Sequence, residues 1–373
     1  MTMNTEKNTE KDTEKNRIPE TTDVRKAHVF DQTKLLAYLR PRLASLDADV
    51  EIRQFDGGQS NPTFVVGSKN FGSEHQYVVR KKPQGNLLQS AHLIEREFKV
   101  MQALKTTDVA VPLVHLFCED PDILGTPFYV MDYVPGRVFR DPKLPELSPQ
   151  ERATVYDAMN SMLTKLHKVN WKEVGLADFG KTENYVARQI ARWSKQYEAA
   201  QIDPNPSMDK LMQWLPNNIP AGDAEGLSTT ITHGDFRLEN LIFAPDSLEI
   251  QAVLDWELST LGHPFADLGY NCVVYHLPAS IDGLSGIEGL DLRQLGIPDE
   301  KTYVETYKVR TDGDISIDHT FFVIFSLFRL ASIVQGVLAR ARQGTASSQK
   351  AEQIGALAKP FANKAWQLTG AKN

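Results

Sequence analysis

Apolar positions along the chain change their spacing near residue 135. Segments 63–66, 76–80 and 128–133 are short runs rich in Val, Tyr and Phe, which suit a pleated, half-buried surface, and they read as strands. Between them, 90–105 places Ile94, Phe98, Met101 and Leu104 at helical spacing. Pro135-Gly136 breaks the pattern. Beyond it the periodicity predicts helices over 148–168, 182–200, 264–277, 318–343 and 347–368, interrupted by a strand-rich insert at 229–255. A doubly wound α/β protein alternates strand and helix throughout, whereas a small sheet with one helix followed by a helical body predicts an α+β, two-lobed protein-kinase-like fold. The expected division is a tail over 1–25, an N-lobe over 26–134 with an antiparallel sheet and one helix, and a mainly helical C-lobe over 135–373.

The tail repeats Thr-Glu-Lys with a period of four and has almost nothing apolar to bury, so it is expected to be disordered. The longest greasy run, 321–338, is interrupted by Arg329 and Gln335 and reads as a buried core helix, not a bilayer span. It packs either inside the large lobe or against a second subunit, which leaves a homodimer open. No apolar signal-peptide core opens the chain, so the expected address is cytoplasmic and no membrane partner is expected.

Composition narrows the function. Forty-one Lys and Arg against 48 Asp and Glu give a net charge of −7, a poor basis for the basic patches that hold nucleic acid. The two cysteines, Cys118 and Cys272, have no metal-like or redox-like spacing and read as buried small hydrophobes.

The chemistry is concentrated in Ile231-Thr232-His233-Gly234-Asp235-Phe236-Arg237-Leu238-Glu239-Asn240-Leu241-Ile242-Phe243. An Asp followed after four residues by an Asn is the spacing of a kinase catalytic loop: the carboxylate orients the attacking hydroxyl and takes its proton, and the amide oxygen holds a metal ion. Further on, Ala252-Val253-Leu254-Asp255-Trp256-Glu257 is an apolar strand ending in an acid, where a kinase places the Asp that bridges Mg²⁺ to the phosphates. Hard oxygen ligands of this kind suit Mg²⁺. The duller alternative makes Asp255 a strand-end cap and Asp235 a turn residue.

With these motifs the sequence resembles the aminoglycoside phosphotransferase and choline kinase superfamily. It is most similar to the phosphotransferase domains found with acyl-CoA dehydrogenases and to their stand-alone bacterial relatives. The likeness spans about residues 50–345 and is carried also by Gly57-Gly58-Gln59-Ser60-Asn61, Val78-Val79-Arg80-Lys81-Lys82-Pro83, Arg96-Glu97-Phe98 and Met131-Asp132-Tyr133-Val134-Pro135-Gly136. The resemblance implies an ATP- and Mg²⁺-dependent kinase with Asp235 as base and Asn240 and Asp255 as metal ligands. Gly58, Ser60 and Asn61 would lie in the loop over the ATP phosphates, with Ser60 and Asn61 donating to phosphate oxygen. Arg80 would take the place of the phosphate-clamping strand lysine, with Glu97 as its helix partner. Because side chains alternate, Lys82 shares the face of Arg80 and Lys81 points away. Met131 and Tyr133 would meet the adenine, Arg237 would neutralise the transferred phosphoryl group or form a surface salt bridge, and His233 and Asp267 would brace the loop. Glu257 is left between metal and substrate. His263 stands where close relatives carry Asp before the proline.

The same resemblance implies a hydroxyacyl-CoA acceptor, in particular a 4-hydroxyacyl-CoA in acyl-chain catabolism. Arg188, Arg192 and Lys195 form a helical basic face that either meets a CoA phosphate or is solvated. Choline, homoserine and aminoglycosides are the other acceptors the fold allows. The rival classes are a nucleotide-binding pseudokinase, invited by Arg80 in place of lysine, and a metal-dependent hydrolase built on His233, Asp235, Asp255 and His263.

Overall fold

The computed structural model describes residues 21–371 except 44–45, 47–48, 56–60, 69–75, 84–93, 280–284, 313–317 and 344–349. Two compact units emerge, one of residues 1–139 with 239–259 and one of 140–238 with 260–373. The boundary expected at 134/135 thus falls a few residues early, and the segment after the catalytic loop groups with the first unit, not the second. Its backbone explains this. Val253 N–H donates to the Ala110 carbonyl, Arg137 exchanges backbone hydrogen bonds with Phe243, and the Arg96 guanidinium donates to the Ser259 carbonyl. Gly136 is required here, because a Cβ would stand 2.3 Å from the Phe243 carbonyl oxygen.

The first unit holds a six-stranded antiparallel sheet of β1 (Thr21–Thr22), β2 (Val50–Phe55), β3 (Thr63–Ser68), β4 (Tyr77–Lys81), β5 (Val114–Cys118) and β6 (Phe128–Asp132), in the spatial order β1-β2-β3-β4-β6-β5. Helix α1 (Gln32–Leu39) belongs to the apolar core of one face, where Phe64, Val66, Tyr77, Val79 and Val130 meet Leu35 and Leu39. Helix α2 (Ile94–Leu104) packs on β5 and β6, with Glu97 among its buried residues. A two-stranded ribbon, Leu241–Phe243 with Ile250–Val253, completes the unit. Strands β1, β2 and β5, and helix α1, are not among the elements expected from the sequence.

The second unit is helical: α3 (Pro149–Lys168), α4 (Tyr185–Ala200), α5 (Pro206–Trp214), α6 (Pro264–Cys272), α7 (Glu300–Thr311), α8 (His319–Arg342) and α9 (Ala358–Leu368). Starts are set by side-chain caps, among them the Ser148/Glu151 capping box of α3, Asp299 for α7 and Asp318 for α8. Helix α8 is buried along most of its length against α4, α6 and α9, which explains its apolar run without a bilayer. By length and composition it would pass for a membrane span, but 72% of its most apolar stretch is buried inside the protein. The helix expected over 264–277 ends as α6 at Cys272 and continues as a 3₁₀ turn, Val273–His276. The one expected over 347–368 is divided into Ala351–Gly355 and α9. Cys118 and Cys272 are free and buried. The first 20 residues, most of the repeat tail, lie outside the described residues.

Candidate active site

In the first unit, strand alternation directs Val78 and Arg80 toward α2, and Tyr77, Val79 and Lys81 toward the α1 core. The Arg80 guanidinium is held between carboxylates. Its Nε lies 2.9 Å from Glu97 Oε2, and its Nη2 lies 2.8 Å from Asp255 Oδ1 and 3.9 Å from Glu257 Oε2. Burial works against the charge of Arg80, and Glu97, Tyr129 and Asp255 more than offset it, so the group stays a cation. Glu97, buried in α2, also accepts from the Tyr129 hydroxyl at 2.8 Å and from Asn61 Nδ2 at 3.0 Å. Burial raises the Glu97 carboxyl against the pull of Arg80. Lys82 Nζ stands 3.8 Å from Glu95 on the Arg80 side, whereas Lys81 Nζ donates to the Leu124 carbonyl on the other face.

Asp255 adopts φ +67°, ψ +59°, the left-handed region that costs a non-glycine residue of order 1–3 kcal/mol. Its side chain makes no capping hydrogen bond to the 3₁₀ turn that follows, so it is not the cap of a strand end. The buried Trp256 indole anchors the turn by donating to the Val253 carbonyl, and Asn240 is tied to the same strand through Leu254 N–H to its carbonyl, at 2.8 Å. Oxygens of Glu97, Asp255 and Glu257 lie within 4.8 Å of one another, a hard donor set suited to a divalent cation. Since Glu97 is already held by Arg80, Tyr129 and Asn61, Asp255 and Glu257 are the carboxylates of this cluster best placed to ligate; Asn240 stands in the 3₁₀ turn just before the ribbon.

Gly58 and Ser60 lie outside the described residues. Asn61 is 1% exposed, and its amide points at Glu97, with a second approach of 3.5 Å to Glu257. In this structure Asn61, the expected phosphate donor, braces the carboxylate cluster. Met131 pairs with Val78 across the sheet, and Tyr133 N–H donates to the Gln76 carbonyl just past the strand end.

In the second unit the Asp235 loop is suspended from Asp267 on α6. His233 N–H and Gly234 N–H donate to its two oxygens at 2.6 and 2.8 Å, and His167 Nε2 approaches at 3.2 Å. Burial pushes the Asp267 carboxyl up, but His167, His233 and the Gly234 N–H hold it below the ordinary range. Gly234 sits at φ +86°, and its carbonyl accepts from Arg329 Nη2 at 2.5 Å. Asn271 Nδ2 donates to the Phe236 carbonyl, and the Tyr303 hydroxyl donates to Asn271 Oδ1. His233 is fully buried, and its Nδ1 accepts from Asp235 N–H. Asp235 Oδ2 lies 3.5 Å from Arg237 Nε. Burial raises the pKa of the Tyr270 hydroxyl, and so does the Asp235 carboxylate to which it hydrogen-bonds.

His263 has a structural task. Its Nδ1 caps α6 by accepting from Phe265 N–H at 3.2 Å, and its ring stacks on Phe322. Burial and the neighbouring His167 lower its pKa to about 4. A neutral imidazole accepts as the Asp of relatives would, so the departure leaves the cap intact. Tyr129, His167, Tyr270 and Arg329 were not among the expected site residues. Only Arg329, a charge inside an apolar run, was marked by the sequence.

A small antiparallel sheet carrying the Arg80 ion-pair network and a helical unit carrying the Asp235 loop have the architecture of a kinase-like phosphotransferase. The profile of the "Phosphotransferase enzyme family" matches residues 51–286. The chain is 46% identical over 353 residues to acyl-CoA dehydrogenase family member 10 of Mus musculus, covering 94% of this chain and 32% of that protein. It is 38% identical over 359 residues to family member 11 of Gallus gallus, covering 94% and 45%. The chain thus spans less than half the length of these curated relatives. A crystal structure of a candidate aminoglycoside phosphotransferase from Ralstonia eutropha JMP134 superposes with a TM-score of 0.82 at 44% identity, covering 92% of this chain and all of that one. Choline kinase of Cryptosporidium parvum Iowa II shares the fold, with a TM-score of 0.61 at 13% identity over 91% of this chain and 96% of that one. The chain belongs to the phosphotransferase enzyme family.

Proposed function

We propose that this kinase uses Mg²⁺-ATP to phosphorylate the hydroxyl of a hydroxyacyl-CoA, a 4-hydroxyacyl-CoA in first place, in acyl-chain catabolism. The observation that carries the chemical reading is the Arg80 guanidinium held at once by Glu97 and Asp255, the ion-pair arrangement a kinase uses to grip nucleotide phosphates. The acyl-CoA part is supported by the names of the relatives and rests on them alone.

In this mechanism Asp235 orients the acceptor hydroxyl and takes its proton as the oxygen bonds to the γ-phosphorus and the bond to the β-phosphate oxygen breaks, releasing ADP. The Tyr270 hydroxyl and Arg237 fix the Asp235 carboxylate, while Asp267 fixes the backbone that carries it. Asp255 and Asn240, with Glu257 adjacent, would hold the metal ion. When bound, Mg²⁺ supplies neutralisation of phosphate charge. Arg80 steadies the phosphates, and positioning with charge neutralisation supplies most of the rate. A cytoplasmic address belongs to the same reading, supported by two free, buried thiols.

The Ralstonia relative's description favours a second reading, an aminoglycoside acceptor. Mass spectrometry of reactions with ATP, Mg²⁺ and a panel of 4-hydroxyacyl-CoAs, free hydroxy acids, choline, homoserine and an aminoglycoside separates the two, with Asp235→Asn as control. A phosphorylated CoA ester absent from the control is the expected result. Phosphate on the aminoglycoside alone would replace the acceptor. ATP binding without any product would leave a pseudokinase.

A further inference from the structure

We propose that Arg192 and Arg329, against the Trp193 indole, form an anion subsite beside the Asp235 loop, and that the phosphate acceptor presents a carboxylate or phosphate group there. The inference rests on the assignment of that loop to the acceptor and deepens it, because it sets the acceptor's charge.

Four observations in the second unit converge. The Arg192 guanidinium lies 5.4 Å and the Arg329 guanidinium 5.5 Å from the centre of the same Trp193 ring, so two like charges share one aromatic side chain. Neither has a carboxylate within ion-pair distance among the described residues. Arg329, only 9% exposed, gives one hydrogen to the Gly234 carbonyl, and its Nε and the Trp193 Nε1 are buried without any acceptor. Arg329 also lies 5.2 Å from the Tyr270 ring, whose hydroxyl reaches Asp235, so the unanswered charge is two side chains from the expected base.

Arg329 is a buried guanidinium, and such groups are normally paired because an unpaired buried charge is costly; the exposed Arg192 adds a second cation beside it. A ligand oxygen anion answers both cations and supplies the missing acceptors with charge-assisted hydrogen bonds. A polycation placed there would add a third like charge. Partial burial, and after it the neighbouring Arg329, lower the pKa of Arg192. Of the basic face anticipated on α4, Arg188 is engaged elsewhere, donating to the Lys181 carbonyl, and Arg192 is the residue that meets Trp193.

The test is titration calorimetry on the full chain saturated with Mg²⁺-ADP, using four probes: 4-hydroxypentanoate, its CoA thioester, its uncharged pantetheine thioester, and kanamycin. Wild type is compared with Arg192→Gln, an exposed position, and with Arg329→Lys, which retains a donor for the Gly234 carbonyl. The expected result is that the anionic probes bind and weaken about 10- to 100-fold in each variant, the range a charge-assisted hydrogen bond supports, while the pantetheine thioester changes less than about twofold. Weakening of the free acid identifies the carboxylate as the group held, and weakening of the CoA ester alone identifies its phosphates. If Arg329→Lys does not fold, Arg192→Gln decides. Loss of affinity for charged and uncharged probes alike, unchanged affinity in Arg192→Gln, no binding of either anionic probe to wild type, or preferred binding of kanamycin would each overturn the subsite. Because the readout is binding, a protein that holds the anion yet transfers no phosphate would sink the kinase mechanism and leave the subsite standing.

Discussion

The two units carry inverse arrangements of charge. In the first, Glu97, Asp255 and Glu257 surround a single guanidinium, Arg80. In the second, two carboxylates, Asp235 and the buried Asp267, share their neighbourhood with Arg237 and Arg329, and Arg192 lies against the same indole as Arg329. An excess of fixed oxygen anions is a site for a metal cation, and an excess of fixed guanidinium groups is a site for an anion. The scaffolding differs accordingly. Asp255 is held by a strained backbone and an ion pair, while the Asp235 loop hangs on Asp267 through backbone N–H groups.

The sharpest way to break this contrast is to neutralise each acid. Asp235→Asn should lower kcat by about 10²- to 10⁴-fold, the range of a lost general base, with Mg²⁺-ADP affinity retained. Asp255→Asn should abolish measurable Mg²⁺-ADP binding, since it removes the proposed metal ligand and leaves Arg80 without one of its partners. Calorimetry with steady-state rates reads both. Loss of nucleotide binding in both variants would mean that the two acids do one job.

A stability test comes next. Arg80→Met leaves buried Glu97 without its cation, and breaking such a pair costs about 3–5 kcal/mol. Urea unfolding should show that loss, and adding Glu97→Gln should restore part of it, because the orphaned charge is then removed. No recovery in the double variant would place the cost elsewhere in the cluster.

How much of this contrast was legible follows from what the sequence encodes. The strand and helix of Arg80 and Glu97 are marked by local periodicity, and side-chain alternation assigns Arg80 and Lys81 to opposite faces. Asp235 and Asp255 stand out because acids ending or interrupting apolar runs are conspicuous. Grouping of 239–259 with the first unit depends on hydrogen bonds to residues more than a hundred positions away, which no local pattern records. Asn61 was read as a phosphate donor because its loop position was visible and its burial beside Glu97 was not. Tyr129 and Tyr270 were hidden for a related reason: an aromatic residue in a strand or helix is ordinary until its hydroxyl is seen to reach a carboxylate.

The α6 cap carries a pH signature that belongs to the second unit alone. His263 has a folded pKa of about 4 against 6.5 unfolded, so the unfolded chain binds the extra proton between those values. Its contribution is complete above about pH 6.5 and is lost as pH falls toward 4, amounting to about 3 kcal/mol at 1.36 kcal/mol per pKa unit. His263→Asn keeps a capping oxygen without a titrating group. Unfolding at pH 7 and pH 4.5 should show a shallower decline in the variant. Parallel declines would remove His263 as the cause.

The smallest effect is expected one residue from the largest network. Lys81 is 2% exposed on the face opposite Arg80, where its ammonium meets a carbonyl and, among the described residues, no carboxylate. Burial lowers its pKa. Lys81→Met removes a costly buried cation but leaves the Leu124 carbonyl without its donor, and these terms oppose each other within about 1–3 kcal/mol each. The net change at pH 7 should therefore be within about 1 kcal/mol, with Mg²⁺-ADP affinity unaltered. The titration gives the sign: because the lysine pKa is lowered on folding, wild type gains stability as pH rises toward the unfolded value of 10.5, and the variant does not. A Lys81→Met protein that lost nucleotide affinity would show that both faces of β4 serve the site, and the division of labour between Arg80 and Lys81 would fail.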